Sequence, residues 1–319
     1  MEEKDIYKNA RSIEETPIED IAVEINHVTK KYKKDRGIFD ITFKVPRGKT
    51  FGYCGTNGAG KTTTLRTIMG FIKPDSGYVK VNGMDAWKDA EKIKNLIGYL
   101  PGEIAFPPLE SGSEFLKLQA EMVGLTDMSK AEKIINMMQL DPTANLKRMS
   151  KGMKQKTAIV AAFMTSREII ILDEPTTGLD PLMREAFVTL IKEEKAKGTT
   201  IIMSNHMFDE LEETCDYVGF IKDGHIVDIV DMDNIHNREY KEYTIRFVTH
   251  EDYEAFDVSP YEVLYDVGDK DTYVIKIKTS ETDQLFKELS KHDVRSIKEV
   301  QYTLEQYFLE NVIGGKNNE

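Results

Sequence analysis

The stretch Gly55-Thr56-Asn57-Gly58-Ala59-Gly60-Lys61-Thr62 constrains what this chain can fold into more than any other. It follows an apolar run, Thr50-Phe51-Gly52-Tyr53-Cys54, and precedes Thr63 to Met69, which has the character of a helix. A glycine-rich loop between a strand and a helix is a device for holding a polyphosphate. The glycines let the backbone wrap the anion with N–H groups turned inward, and the helix N-terminus adds partial positive charge. Lys61 is placed to reach the terminal phosphates, and Thr62 to offer its hydroxyl to magnesium. The loop therefore predicts a nucleoside triphosphate site in an α/β fold. It does not say what the nucleotide is for.

Composition narrows the class. With 319 residues the chain has room for a full core and for two domains. Its formal net charge of -12 argues against a dedicated nucleic-acid binder, which needs a basic footprint, so no nucleic-acid partner is expected. The longest apolar runs, such as Ile169–Leu172 and Ala158–Met164, fall far short of the roughly 20 residues that cross a bilayer. Met1 to Asp20 is acidic, lacks the layout of a signal peptide, and is expected to be a weakly structured extension. Cys54 and Cys215 stand far apart without metal-ligand spacing, as buried thiols do.

Ile21 to Val28 and Phe39 to Val45 have strand patterning. Between them lies Lys30-Lys31-Tyr32-Lys33-Lys34, with two readings: a solvated basic turn, or a tyrosine face stacked on a purine. Strands are predicted at Tyr78–Val81 and Ile97–Leu100, followed by Pro101-Gly102-Glu103, and a mainly helical insertion over about 104–164. In Glu168-Ile169-Ile170-Ile171-Leu172 the four residues after Glu168 are a continuous apolar run, as in a parallel strand buried on both faces, and it ends in Asp173-Glu174-Pro175. An acidic residue at the end of such a strand is the usual companion of a phosphate loop: Asp173 for magnesium, Glu174 to polarise a water. A further helix over Leu182–Lys197, a strand at Thr199–Met203 ending in Ser204-Asn205-His206, and a hairpin around Asp223-Gly224 complete this part. Beyond it, Tyr243–Phe247, Glu262–Tyr265 and Tyr273–Ile277 alternate like half-wet strands, and Glu281–Ser290 and Leu304–Val312 look helical. This last part carries no catalytic cluster and is expected to be a small structural or regulatory α+β domain.

The order of the pieces is more telling than any one of them. Met149-Ser150-Lys151-Gly152-Met153-Lys154-Gln155 opens a helix before the Asp173-Glu174 strand, and Thr176-Thr177-Gly178-Leu179-Asp180-Pro181 follows it. With the phosphate loop and Ser204-Asn205-His206, this series resembles the ATP-binding cassette subunit of ABC transporters over roughly residues 21–238. The resemblance implies a P-loop NTPase of ABC type: a parallel sheet core, an antiparallel β subdomain and the helical insertion, with residues 239–319 as an accessory domain. It also implies roles. Tyr32 is the adenine-stacking aromatic. Gly55, Thr56, Asn57, Gly58, Ala59, Gly60, Lys61, Thr62 and Thr63 hold the ATP phosphates, and Thr62 and Asp173 serve Mg2+. Glu174 is the catalytic glutamate, His206 the switch histidine and Asp180 the aspartate of the dimer-facing loop. Ser150 and Gly152 contact the γ-phosphate of ATP held by the opposite subunit, a role that suits a serine capping a helix N-terminus.

Two departures stand out. Lys151 and Met153 replace a glycine and a glutamine of the usual signature, in a form similar to that of bacterial exporters whose membrane subunit is a separate chain. Where the family places a glutamine after the strand ending Tyr99-Leu100-Pro101, this chain has Gly102 and then Glu103. Either Glu103 reaches the metal, or the loop couples through packing alone. The C-terminal part, with its closing Thr303–Leu309, also resembles the appended domain of those exporters. The expectation is an ATP-hydrolysing subunit, peripheral on the cytoplasmic face of a membrane. It would dimerise with a second ATP-binding subunit and power a separate transmembrane chain, with Phe106-Pro107-Pro108 either a docking rim or local packing. A soluble non-transport ABC ATPase and a nucleotide-sensing module with weak turnover are the alternatives.

Overall fold

The structure is a computed structural model that describes residues 10–33, 36–237, 239–267 and 270–313. Its contacts divide the chain into two units, with the boundary between Met232 and Asp233. Residues 1–9 of the expected extension, and Lys34 of the basic run, lie outside the described residues.

The first unit is built on a six-stranded sheet of order β10-β9-β3-β8-β7-β6. Here β3 is Thr50–Cys54, β6 Ile97–Leu100, β7 Ile169–Asp173, β8 Thr200–Asn205, β9 Tyr217–Lys222 and β10 His225–Asp231. All neighbours are parallel except the β9–β10 hairpin. Every residue of β3, β7 and β8 is buried, which is why these stretches lack polar alternation in the sequence. A second sheet, antiparallel and of order β2-β1-β4-β5, covers one face; its strands are β1 Ile21–Lys33, β2 Arg36–Pro46, β4 Ser76–Val81 and β5 Met84–Asp85. Alternate residues of the parallel strands, Phe51, Tyr53, Ile169, Ile171 and Ile202, join Phe43, Ile41 and Val23 in one core between the layers. Phe43 and Phe51 stack there with ring centroids 4.8 Å apart.

Two expectations are corrected. Lys30 to Lys33 form no turn: β1 runs through Lys33, because Lys30 pairs with Ile38 and Lys31 with Gly37 on β2. The segment 10–20 is more ordered than its acidic composition suggests, since Ala10 and Ile13 are buried in the same core and Arg11–Glu14 turns as a helix.

The helices that matter for the site are α1 (Lys61–Ile68), α2 (Gly112–Met122), α3 (Ser129–Met137), α4 (Lys151–Phe163), α5 (Pro181–Ala196) and α6 (Phe208–Thr214). Three begin on side-chain caps. Ser111 accepts from the Glu114 N–H, Ser150 from Met153 and Asp180 from Met183, the last reinforced by Pro181 at the first helical position. The helices α2 and α3 lie in the predicted insertion, and α4 closes it.

The second unit is a four-stranded antiparallel sheet, β12-β13-β11-β14, made of β11 Tyr240–Phe247, β12 Glu262–Val267, β13 Thr272–Lys278 and β14 Val294–Val300. Tyr243, Ile245, Phe247, Ile275 and Ile277 turn one face toward Tyr253, Phe256, Leu285 and Leu289, forming a separate core. The helix His250–Ala255 and strand β14 were not predicted. The latter is an edge strand with mostly exposed residues, so no buried face imposes alternation on it.

Candidate active site

The loop between β3 and α1 lies at the C-terminal edge of the parallel strands, the place where open α/β sheets hold ligands. Beside it is a cleft of about 610 Å³. Thr56, Asn57, Gly58, Gly60, Lys61, Thr62 and Thr63 line it from the loop and α1, with Tyr32, Lys33, Arg36, Gly37, Arg66 and Glu174 around them. Of the residues expected to touch nucleotide, Gly55 and Ala59 do not line it. The Ala59 side chain is buried in the core, and Gly55 lies against β9, where a Cβ would stand 2.4 Å from the Ile221 carbonyl oxygen. Tyr32, about half exposed, forms part of the wall.

Gly55 and Gly58 are glycines for different reasons, and the difference is measurable. At Gly58 a Cβ meets nothing, and only the backbone angle of +83° disfavours a side chain. We expect Gly58→Ala to cost about 1 kcal/mol through the left-handed conformation, and Gly55→Ala about 3 kcal/mol through overpacking against backbone. Thermal melts of the two variants check the order; equal losses would show that the Ile221 contact is not what demands glycine at 55.

One carboxylate ties the site together. Glu174 Oε1 lies 3.1 Å from Lys61 Nζ, and Glu174 Oε2 lies 2.8 Å from His206 Nδ1. Lys61 also donates to the Gly55 carbonyl at 2.6 Å, so its charge is held inside the loop. The backbone of Glu174 has a positive φ of 50°, a conformation that costs a non-glycine residue free energy and persists only where the surroundings enforce it. The enforcement is visible: the Glu174 N–H donates to Ser204 Oγ at 2.9 Å, and Gln155 Nε2 donates to the carbonyl of Pro175 at 2.7 Å. Ser204 donates in turn to Asp173 Oδ1 at 2.6 Å. Cys54, at the root of the loop, is chemically quiet, because burial pushes its thiol up to about 12 despite the pull of Lys61.

Asp173 is 1% exposed, and its second oxygen, Oδ2, has no hydrogen-bond partner. A buried, unpartnered carboxylate oxygen implies a cation or its hydration shell. Thr62 lines the cleft, while Asp173 does not, though it adjoins Glu174, which does. The candidate donors are hard oxygens, and no group of three or more His, Cys, Asp or Glu capable of holding a metal occurs among the described residues. That set fits Mg2+, which takes one or two protein oxygens and completes its shell with phosphate and water, and it does not fit a metal needing an all-protein cage. At Gly102 a Cβ would stand 3.0 Å from Asp173 Oδ2, so the loop contributes backbone there. Glu103 is exposed and does not line the cleft.

Ser150, Gly152 and Asp180 do not line the cleft of their own chain. The Ser150 hydroxyl caps α4, accepting from Met153 N–H at 3.2 Å, and Asp180 caps α5. At Gly152 a Cβ would stand 2.8 Å from the Gly178 carbonyl oxygen, so the start of α4 packs on the turn behind Glu174. Phe106 packs edge-on against Phe115 of α2, with centroids 4.7 Å apart, while Pro107 and Pro108 are exposed. The sequence reading gave no role to Ser204, Gln155, Arg36, Lys33, Arg66 or Glu210. Only the strand register that sets Ser204 beside Asp173, and folds of the chain tens of residues long, bring them in.

A glycine-rich loop cradling a cleft, a metal-ready aspartate and a strained glutamate between a lysine and a histidine define a P-loop nucleotide hydrolase. Comparison with known proteins makes the class specific. A profile of the family described as ABC transporter matches residues 38–177. The bacitracin transport ATP-binding protein BcrA of Bacillus licheniformis is 31% identical over 306 residues, covering 92% of this chain and 98% of its own. The linearmycin resistance ATP-binding protein LnrL of Bacillus subtilis is 34% identical over 212 residues, covering 65% of this chain and 68% of its own. Among solved structures, the ATP-binding subunit of an ABC transporter superposes with a TM-score of 0.61 at 31% identity, over 67% of this chain and 92% of that one. The chain belongs to the ABC transporter family, as an ATP-binding and ATP-hydrolysing subunit.

Proposed function

We propose that this chain drives a transporter by closing a dimer over ATP, each nucleotide lying between the cleft of one subunit and the Ser150 end of α4 from the other. The observation that carries this reading is that Ser150, which caps the N-terminus of α4, does not line the cleft of its own chain. The fold supports it too, since a bacterial ABC transporter cassette solved as a dimer superposes with a TM-score of 0.60 at 22% identity. Residues 21–238 form the cassette in this reading, and 239–319 an accessory domain.

Tyr32 offers its face to adenine, and the loop N–H groups and Lys61 take the phosphates. Thr62 and Asp173 would hold Mg2+, which supplies charge neutralisation at the phosphates when bound. For Lys61 to reach a γ-phosphate it must leave the Gly55 carbonyl and Glu174, which frees Glu174 Oε1. That oxygen then accepts a proton from water, while Oε2 stays oriented by His206. In this reading the protonated ring of His206, held beside Glu174, would add a donor to the developing phosphate charge.

No helix among the described residues is long and apolar enough to cross a membrane. In this reading the subunit docks on the cytoplasmic face against a separate membrane chain, by likeness to a relative named as a transport ATP-binding protein. Export is the favoured direction, by likeness to the linearmycin resistance protein. To test the composite site, Ser150→Phe is added to Glu174→Gln. Fluorescent ATP should still bind, and ATP-dependent dimers should vanish in sedimentation. Dimers that persist would remove Ser150 from the interface.

A further inference from the structure

The turn that presents His206 and the turn that presents Glu174 meet at a single buried residue outside the cleft, Glu210 of α6. We propose that Glu210 is a positioning residue that holds Glu174 and His206 in register with one another. Its Oε2 accepts from Thr176 Oγ1 at 2.7 Å and from Asn205 Nδ2 at 2.5 Å. Thr176 is itself buried and stands two residues after Glu174. Asn205 uses its other side-chain atom, Oδ1, to accept from the N–H groups of His206 at 2.7 Å and Met207 at 3.0 Å. One carboxylate oxygen is thus fastened to the glutamate turn through a hydroxyl and to the histidine turn through an amide.

The other oxygen, Oε1, faces Arg184 of α5 with 3.9 Å to Nε, and Arg184 Nη1 reaches the Met207 sulfur at 3.2 Å. The same cluster therefore also reads the helix that Asp180 caps. Glu210 is 6% exposed. A carboxylate is a costly way to fill that space, since an apolar side chain of similar size would need no desolvation. What an apolar residue cannot do is accept from two turns at once, and that is the function assigned here. The helix was not predicted, so nothing in the sequence had singled out this glutamate.

The inference rests on the roles given above to Glu174 and His206. It is tested in the full-length chain by steady-state ATPase kinetics on Glu210→Leu and Glu210→Gln. With no contact to the cleft, Glu210→Leu should leave KM for ATP within about threefold and lower kcat by about 100-fold, the cost of a misplaced reacting group. Glu210→Gln keeps an acceptor oxygen for both donors and should recover about tenfold of that loss. Because they act through one oxygen, Glu210→Leu combined with Asn205→Ala should be no slower than the worse single variant. A normal kcat in Glu210→Leu overturns the proposal; so does a loss that Gln does not relieve and that adds to Asn205→Ala, which is the signature of packing alone. Should Glu210→Leu fail to melt cooperatively, Thr176→Val and Asn205→Ala each cut one arm, and an unchanged kcat in both overturns it equally. Normal turnover by Glu174→Gln would sink the parent reading, whereas a slow Glu174→Gln beside a normal Glu210→Leu sinks only this one.

Discussion

Lys61→Ala is expected to weaken ATP binding by about 100-fold or more, leaving no measurable ATPase. A hydrogen bond from a charged donor contributes about 1.5–3 kcal/mol, and each 1.4 kcal/mol is tenfold in affinity. Lys61 is the loop's one ammonium at the cleft, and it is already desolvated, at 6% exposed, so little solvation is lost when phosphate arrives. The substitution also strips the donor from the Gly55 carbonyl and the ion pair from Glu174 Oε1, so melting temperature must be followed alongside. Equilibrium titration with a fluorescent ATP analogue reads the effect. Affinity within a few-fold of the unaltered protein, in a folded variant, would remove the lysine from the phosphate site.

Glu174→Gln should separate binding from turnover. A positioned general base contributes about 10²–10⁴-fold to rate, so kcat is expected to fall by at least about 100-fold. Affinity for ATP should hold or rise, because a neutral amide competes less than a carboxylate for Lys61, now 3.1 Å away. The variant should therefore accumulate as an ATP-loaded dimer on size exclusion. Undiminished hydrolysis would take Glu174 out of the reaction, and the paired lysine and histidine would then be no more than an ion cluster.

How much of this was legible in the sequence depends on how local each determinant is. Gly55 to Thr62 could be found because its chemistry and its backbone demands are contiguous. Asp173-Glu174 could be found because β7 is buried on both faces and so interrupts every polar pattern around it. The basic run at Lys30–Lys33 misled, because pairing with β2, not hydrophobic periodicity, extends β1 through those lysines. Ser204 and Gln155 stood inside motifs without a role of their own, and Glu210 left no trace. Ser204 acts by lying in register with Asp173, Gln155 by reaching the carbonyl of Pro175, and Glu210 by meeting Thr176, and each of these pairings spans 20 residues or more of chain. Edge strand β14 was missed for the opposite reason: with little burial there is little pattern to detect.

The contact between Gly152 and the Gly178 carbonyl leaves no room for a methyl group, so the start of α4 and the turn behind Glu174 cannot slide past one another. The two glycines are therefore constrained differently: a side chain at 152 is blocked by backbone, whereas at 178 it is the backbone angle of +84° that disfavours one. The adjustable neighbour is Lys151, whose aliphatic stem lies over Gly178, with Cγ 3.2 Å from where a Cβ would stand. How firmly the two segments are geared together is thus open to adjustment at position 151, where this chain carries a long, flexible lysine.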